Sequence, residues 1–180
     1  MAETKIVAVR RPSSLELLFE AIGLTALAIR DITSLVNGAE VSLRNPPRLT
    51  KWARFSIGTR AGKNLLGAVS SVTRMATSRQ VRGLAVTRGN TRFVNDIRQV
   101  DDQMLAWDAG TQLMRLVGAL VVINHRKSDR RPNGLGIAVA LASSLCPTYT
   151  LTIVSRELYR RHGTAYLDAG RRVLRGLIMH

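Results

Sequence analysis

The segment that decides the fold covers residues 41–95 and reads VSLRNPPRLT KWARFSIGTR AGKNLLGAVS SVTRMATSRQ VRGLAVTRGN TRFVN. It contains eleven basic residues and no Asp or Glu, with apolar residues at helical spacing between them. The basic residues are Arg44, Arg48, Lys51, Arg54, Arg60, Lys63, Arg74, Arg79, Arg82, Arg88 and Arg92. Soluble proteins normally mix both signs of charge on their surface, so this segment predicts an external polyanion as partner.

The whole chain shares this imbalance of charge. Its 180 residues have a formal net charge of +15, and the pI is about 11.6. A hydrophobic content of 46% is typical of a globular chain rather than a disordered tail. The length favours one helical domain over residues 13–180, after a flexible arm of residues 1–12 that lacks the apolar core of a secretory signal. The single cysteine, Cys146, excludes an intrachain disulfide and a cysteine-based zinc cluster.

The first strong helix signal follows the arm. Ser13 and Glu16 fit a capping box, and Asn37-Gly38 is a typical helix end, so the sequence predicts a helix from Ser13 to about Val36. Its apolar residues form more than one stripe. We therefore expect a second side of this helix to pack against a partner subunit.

Two helices are predicted inside the basic segment, over residues 48–57 and 61–77, with Gly58 between them and Gly62 near the start of the second. Arg48, Lys51 and Arg54 would share one side of the first helix. At 100° per residue, the second helix places four residues within roughly 40° of one direction, namely Lys63, Gly67, Ser70 and Arg74. The opposite side is apolar, with Leu65, Val69, Val72 and Ala76. A face with charge, a hydroxyl donor and little bulk is suited to close approach of a phosphate backbone.

The rest of the chain also has a helical pattern. Phe93, Ile97, Val100, Met104 and Trp107 form an apolar stripe that predicts a helix over residues 93–107, with a kink or a change of partner at Gly110. Residues 124–133 form a polar connection. Residues 134–154 have no charge and predict either a buried helix broken at Pro147 or a membrane-inserted segment. The C-terminal helices that follow are basic and are divided at Gly163-Thr164. Few stretches alternate at period two, so the fold class is all-α, with about five to six helices.

Catalysis has no support in the sequence. Residues 58–64, GTRAGKN, imitate a phosphate loop, but only three residues separate the glycines and Asn64 stands where Mg²⁺ requires a hydroxyl. The histidines, His125, His162 and His180, are far apart in the sequence. Asp101 and Asp102 point about 100° apart on a helix, so we expect them to pair with Arg98 or with arginines of another chain. We therefore predict no enzyme, no metal and no cofactor.

The predicted function is sequence-independent binding of nucleic acid, with duplex DNA as the favoured partner. The predicted contacts are the eleven basic residues of the segment together with Ser70. Aromatic residues make up only 4% of the chain, and no helix-turn-helix, zinc-finger or stacking-platform pattern is present to read bases. Contacts to phosphates alone give binding that weakens steeply with salt.

The layout resembles the small, all-helical coat proteins of rod-shaped and filamentous archaeal viruses, which wrap A-form DNA. The shared features are an N-terminal arm, long helices, an Arg- and Ser-rich face and apolar C-terminal helices. The resemblance implies a virion protein whose building blocks are dimers, sometimes of two different coat proteins, wound around the DNA.

The alternative comes from another class of protein. A basic helical chain with one hydrophobic segment is also typical of an accessory subunit of a mitochondrial or other organellar membrane complex, or of a membrane-surface protein. The basic segment would then lie on anionic headgroups, and residues 134–154 would insert into the bilayer.

Overall fold

A computed structural model of the chain describes residues 6–41, 48–78, 86–88, 91–123, 134–165, 168, 171–172 and 175. Within them, the chain forms β1 (Val7–Arg10), α1 (Ser14–Asn37), α2 (Lys51–Ser78), β2 (Val86–Arg88), β3 (Thr91–Val94), a 3₁₀ helix (Ile97–Gln99), α3 (Asp102–Ile123) and α4 (Gly134–His162). The fold is mostly helical, as predicted. The expected five to six helices are not confirmed, since the described residues form four α-helices, and the small sheet was not foreseen.

The Cα positions divide the chain into two compact units. The sheet unit comprises Met1–Arg11, Gly83–Gln112 and Thr150–His180. The hairpin unit comprises Pro12–Arg82 and Leu113–Tyr149. Helices α3 and α4 each contribute residues to both units. The expectation of a single domain over residues 13–180 stays a prediction.

The ends of α1 are those that the sequence predicts. The backbone N–H of Glu16 donates to Ser13 Oγ at 3.2 Å, and the N–H of Ser13 donates to Glu16 Oε2 at 2.7 Å, which completes a capping box. Gly38 ends the helix with φ +66°, in the left-handed region that glycine adopts without strain. Both boundaries are confirmed because each depends only on residues within one helical turn.

Helices α1 and α2 pack side by side in opposite directions. Asp31 contacts Arg60, and Glu20 contacts Ser71, so residue numbers rise along α1 as they fall along α2. The buried residues of α2 recur at helical spacing and are mostly small: Ile57, Ala61, Ala68 and Ser71. Small side chains let the two backbones approach closely, and that packing defines the helical hairpin.

The break predicted between residues 57 and 61 is absent, because α2 is one helix of 28 residues. Gly58 and Gly62 lie inside it, although each glycine costs about 0.5–1 kcal/mol relative to alanine in a helix interior. Packing of Ile57 and Ala61 on α1 offsets this cost. The tertiary contact therefore overrides the local propensity.

The single helix that the sequence predicts over residues 93–107 is not present. These residues form the end of β3, the 3₁₀ helix and the start of α3, all in the sheet unit. Strand β3 lies between β1, which is parallel to it, and β2, which is antiparallel. Asp96 then caps the 3₁₀ helix by accepting from the N–H of Arg98 at 2.9 Å, and α3 begins only at Asp102. The apolar core contains Val94, Val100, Leu105, Ala109, Val154 and Leu158. Trp107, predicted to share the buried stripe, is 75% exposed.

Helix α4 also differs from its prediction. It continues from Gly134 through the buried Pro147 to His162, so proline does not break it. Proline removes one backbone hydrogen bond from a helix, and packing in the hairpin unit sustains the helix across that gap. Gly163, with φ +57°, follows the last helical residue, which agrees with the predicted division at Gly163-Thr164.

Candidate nucleic-acid interface

The predicted phosphate-binding face is present on α2. Lys63, Ser70 and Arg74 are all exposed, and α2 contains no acidic residue. Eleven residues separate Lys63 from Arg74, which is about 16 Å along the helix axis at 1.5 Å per residue. We call Lys63, Gly67, Ser70 and Arg74 the basic row.

The two cations and the hydroxyl group of the basic row are set apart from the side of α2 that packs on α1. At 100° per residue the centre of the basic row lies about a third of a turn from the line through Ile57, Ala61, Ala68 and Ser71. Its cations are therefore accessible while the helix backbone is held by packing. A rigid helix that presents cations at fixed spacing is suited to contacting a phosphate backbone.

Gly67 has a different role from the one the sequence suggests. A Cβ atom built on Gly67 would lie 2.9 Å from Leu24 Cδ1 on α1. The absence of a side chain here is explained by helix packing, and close approach of a phosphate is not needed to account for it.

The exposed side of α2 continues the basic row towards the helix N-terminus. Trp52 and Ser56 precede Ser70 and Arg74 by eighteen residues, which is five whole turns at 3.6 residues per turn, so they share the same line along the helix. Trp52 is 82% exposed. The face thus combines cations, hydroxyl groups and one large aromatic ring. The sequence analysis did not place Trp52 and Ser56 on this face because it treated residues 48–57 as a separate helix.

Arg60 is neutralised inside the hairpin unit. Its Nε donates to Asp31 Oδ2 at 2.8 Å and its Nη2 donates to Asp31 Oδ1 at 3.0 Å, while the Asp31 side chain is 0% exposed. The hydrogen bond to Asp31 raises the pKa of Arg60 above its usual value. Arg30 donates to the same carboxylate through Nε and Nη2, at 3.2 and 2.9 Å. Arg60 therefore connects α2 to α1, and its counter-charge is the Asp31 carboxylate.

The sequence offered one signal for this site. The Arg30-Asp31 pair lies in a stretch of α1, residues 21–37, that contains no other charged residue, where an ion pair needs a further partner to be buried. The basic segment does lack acidic residues of its own, but the carboxylate that binds Arg60 comes from α1.

The remaining basic residues of α2 are not brought to the basic row. Lys51 and Arg54 are exposed but lie on other sides of the helix, and Arg48 precedes the helix in an isolated bridge to Ala39. Arg48 therefore does not share a helical face with them, contrary to the prediction.

The predicted contacts beyond α2 lie in another unit or outside the described residues. Arg88 and Arg92 belong to β2 and β3 in the sheet unit, where Arg92 is exposed. Arg44, Arg79 and Arg82 lie outside the described residues, as do His125, His180 and the predicted polar connection over residues 124–133. The structure thus groups Lys63, Ser70 and Arg74 from the twelve predicted residues.

The apolar side chains of α2 are unexpectedly exposed. Leu65, Val69 and Val72, predicted to lie opposite the basic row, are 43%, 64% and 49% exposed, and Leu66 is 74% exposed. The side of α2 that packs on α1 lies between the basic row and this apolar side. The hairpin unit is therefore held together mainly by small residues, and larger ones remain accessible.

Helix α1 exposes a second apolar set, at alternating spacings of three and four residues. We call it the α1 seam, and it consists of Leu15, Leu18, Ile22, Ile29, Ile32 and Val36, with Thr25 at the remaining position of the pattern. The six apolar residues are between 40% and 80% exposed. A repeat of this kind, with one polar residue in it, is the pattern of a coiled-coil interface.

The sheet unit contains an ion-pair cluster that sequence analysis missed. Arg161 donates to the carboxylates of Glu157 and Asp102, at 2.8 and 2.6 Å, and also to the carbonyl oxygens of Ile97, Arg98 and Val100. Asp102 thus pairs with Arg161 and His162. The pairing with the Arg98 side chain that the sequence analysis expected is not the one observed. All these partners are within the sheet unit, so the cluster stabilises the 3₁₀ helix and the start of α3.

The pKa of Glu157 is strongly shifted by this cluster. Hydrogen bonds from Arg160, and secondly from Arg161, lower it to about 2. The same kind of hydrogen bond from Arg161 lowers the pKa of Asp102. Both carboxylates accept hydrogen bonds from arginines, an arrangement that stabilises the structure of the sheet unit.

The hairpin unit also contains a cavity of about 400 Å³ between α1, α3 and α4. Its lining is mostly apolar and small, and the polar or reactive side chains in it are Glu20, Arg30, Arg115, Ser143 and Cys146. None of the predicted residues whose side chains the structure describes lines it, so the cavity is separate from the basic row.

The described residues contain no group of His, Cys, Asp or Glu side chains arranged to hold a metal ion. Among them, α4 is the one helix that is long and apolar enough to cross a membrane, with a mean hydropathy of 1.7 over its most apolar 18-residue window, of which 28% is buried. The chain matches no protein-family model, no curated protein and no solved structure.

Proposed function

We propose that this chain is a structural nucleic-acid-packaging protein, a coat or nucleocapsid subunit that binds duplex DNA through its phosphate backbone. The observation that carries the proposal is the basic row, which exposes cations and a hydroxyl group along about 16 Å of a helix without any acidic residue. The net charge of +15 favours association with a polyanion at long range.

The contacts would be made without reading bases. Lys63 and Arg74 donate to phosphate oxygens, and Arg74 can do so through two parallel hydrogen bonds. Ser70 adds a hydroxyl donor between them. Such contacts position a protein on a duplex but carry no sequence information. The resemblance to archaeal filamentous-virus coat proteins belongs to this proposal, and it supplies the expectation of a virion location.

The test is a titration of DNA binding at several salt concentrations. Binding is monitored through the fluorescence of Trp52, in a protein in which Trp107→Phe removes the other tryptophan. We expect Lys63→Ala with Arg74→Ala to lower the slope of log affinity against log salt by about two units, equally for unrelated duplex sequences. The matched control is Arg98→Ala with Arg156→Ala, two exposed arginines outside the basic row. If the control pair changed the slope as much as the test pair, binding would depend on net charge, and the basic row would not be the interface.

A second candidate is favoured by α4. Its apolar window and the exposure of Ile137, Leu141 and Leu145, at 38%, 56% and 41%, are typical of a helix that meets lipid or another protein. In this reading the chain is a basic subunit of a membrane complex. Extraction separates the two functions: a coat protein is soluble or assembles without detergent, whereas a membrane subunit requires detergent and inserts into liposomes in a way that high salt does not reverse.

A further inference from the structure

The apolar surfaces of α1 and α2 form one face of the helical hairpin. Positions around each helix can be measured at 100° per residue from the line along which α1 and α2 touch. The α1 seam is rotated from this line by about a quarter to a third of a turn, and so is the set Leu65, Val69 and Val72, in the same rotational direction about each helix axis. In two antiparallel helices, residues that are rotated in the same direction from the contact line lie on the same side of the pair. The pairs Asp31–Arg60 and Glu20–Ser71 show this rule, since all four residues are displaced in the opposite sense and make contact.

This apolar face is large enough for a stable interface. Its nine side chains together expose the equivalent of about four and a half whole residues. That is roughly 700–800 Å², close to the ~800 Å² that each partner contributes to a standard protein interface. Monomeric proteins rarely leave a contiguous apolar patch of this size uncovered.

The chemistry of the face fits a second copy of the same chain. The α1 positions that flank the seam, where coiled coils carry their charges, are Phe19, Ala21, Ala26, Ala28, Thr33 and Leu35. The acidic and basic residues of α1 all lie on its other side. Chains with a net charge of +15 repel one another, so self-association requires a contact of this uncharged kind. Among the described residues, the charges on this side of the hairpin are Lys51 and Arg54, at one end.

We propose that two copies of the chain pair through the α1 seam, and that the dimer carries a basic row on each of its two outer sides. The second part follows from geometry, because the basic row lies on the side of the hairpin opposite to the apolar face. Burying the apolar faces against each other directs the two rows away from each other. One dimer then contacts two duplex segments and bridges them, a consequence that rests on the proposed function, whereas the dimer itself does not.

The first experiment measures the dimer without nucleic acid, by sedimentation equilibrium of the full chain. We expect twice the chain mass of 19.8 kDa for the wild type, and no weakening of the dimer by salt, because its contact is apolar and the repulsion between the cationic chains is screened. Ile22→Glu with Ile29→Glu should raise the dimer dissociation constant at least ~100-fold, since carboxylates would face their own copies in a dry seam.

The control is Leu66→Glu, which places a carboxylate on an exposed apolar site of α2 far from the α1 seam. It should leave the dimer unchanged. A variant of opposite sign, Thr25→Leu, completes the apolar repeat and should tighten the dimer by about tenfold. Circular dichroism checks that each variant is folded, and the substituted residues are exposed on the isolated chain, so folding should be retained.

The second experiment tests bridging with a duplex fixed on beads and a fluorescent duplex of unrelated sequence. The wild type should capture the second duplex, and the seam variant should bind the first duplex without capturing the second. A wild type that stays monomeric at ~100 µM, or a dimer that Leu66→Glu disrupts and the seam variant does not, would overturn the proposal. A monomer that binds anionic liposomes through the seam would also overturn it, in favour of a lipid surface. A seam-dependent dimer that binds no duplex would support the pairing and reject the proposed function.

Discussion

The buried carboxylate of Asp31 should hold the helical hairpin together, and Asp31→Asn tests this directly. Asp31 is 0% exposed and accepts four hydrogen bonds, two from Arg30 and two from Arg60. Asparagine keeps the volume but removes the charge and directs an NH₂ group at guanidinium donors. Breaking a buried ion pair by removing one partner costs about 3–5 kcal/mol. Because 47% of the Arg60 side chain and 22% of the Arg30 side chain remain accessible to water, we expect the lower end, about 3 kcal/mol.

The assay is urea unfolding followed by far-ultraviolet circular dichroism, with hydrogen exchange of peptides from α1 and α2 to localise the loss to the hairpin unit. Arg60→Gln should cost less, about 1 kcal/mol, since Arg30 still pairs with the carboxylate. The control is Asp168→Asn, whose carboxylate is 64% exposed and 3.7 Å from Arg171, and it should change stability by less than about 0.5 kcal/mol. A loss of stability below ~1 kcal/mol for Asp31→Asn, or unchanged hydrogen exchange in α1 and α2, would refute the reasoning, because breaking a buried ion pair should lower the free energy of unfolding by more than this.

Three further predictions concern stability. The pKa of Glu157 is lowered to about 2 from an ordinary 4.5, so its contribution is present above pH 4.5 and is lost as the pH falls towards 2; Glu157→Gln should flatten this part of the stability–pH profile, measured by urea midpoints at several pH values. Gly62→Ala should stabilise α2 by about 0.5–1 kcal/mol, since its Cβ would meet nothing within 4 Å, whereas Gly67→Ala should gain less or destabilise, because its Cβ would lie 2.9 Å from Leu24 Cδ1; equal gains in thermal unfolding would contradict the close approach of α1 and α2. Arg161→Lys should destabilise the sheet unit by about 1–3 kcal/mol, since a lysine cannot serve two carboxylates and three carbonyl oxygens at once; faster hydrogen exchange at residues 97–105 checks it, and exchange at α1 should not change.

The predictions that succeeded depend on short-range chemistry. The capping box at Ser13 and Glu16 and the glycine at position 38 define α1 through contacts within one turn of the helix, so a single sequence suffices to find them. The same holds for the end of α4 at Gly163. The basic row was found for a similar reason, because spacing along one helix determines which residues share a face.

The predictions that failed involve partners far away in sequence. Strand β1 pairs with β3 across more than 80 residues, and no local pattern announces such a pairing. The Gly89-Asn90 dipeptide between β2 and β3 favours a two-residue hairpin turn, but the apolar period of the following residues was read as helical. Both the helix over residues 93–107 and the pairing of Asp102 with Arg98 were wrong for this reason.

By itself, the sequence determined the mostly helical class, the two ends of α1, the excess of positive charge and the exposed line of Lys63, Ser70 and Arg74. These follow from composition and from the geometry of a single helix. Only the tertiary structure decided that Gly58 and Gly62 lie within one helix, that Arg60 is bound by the carboxylate of Asp31, and that the α1 seam stays exposed on the same side of the hairpin as Leu65, Val69 and Val72. The physical reason is that burial is a property of pairs of surfaces: a pattern along one helix shows which side is apolar, and the packing of its neighbours decides which apolar side is covered.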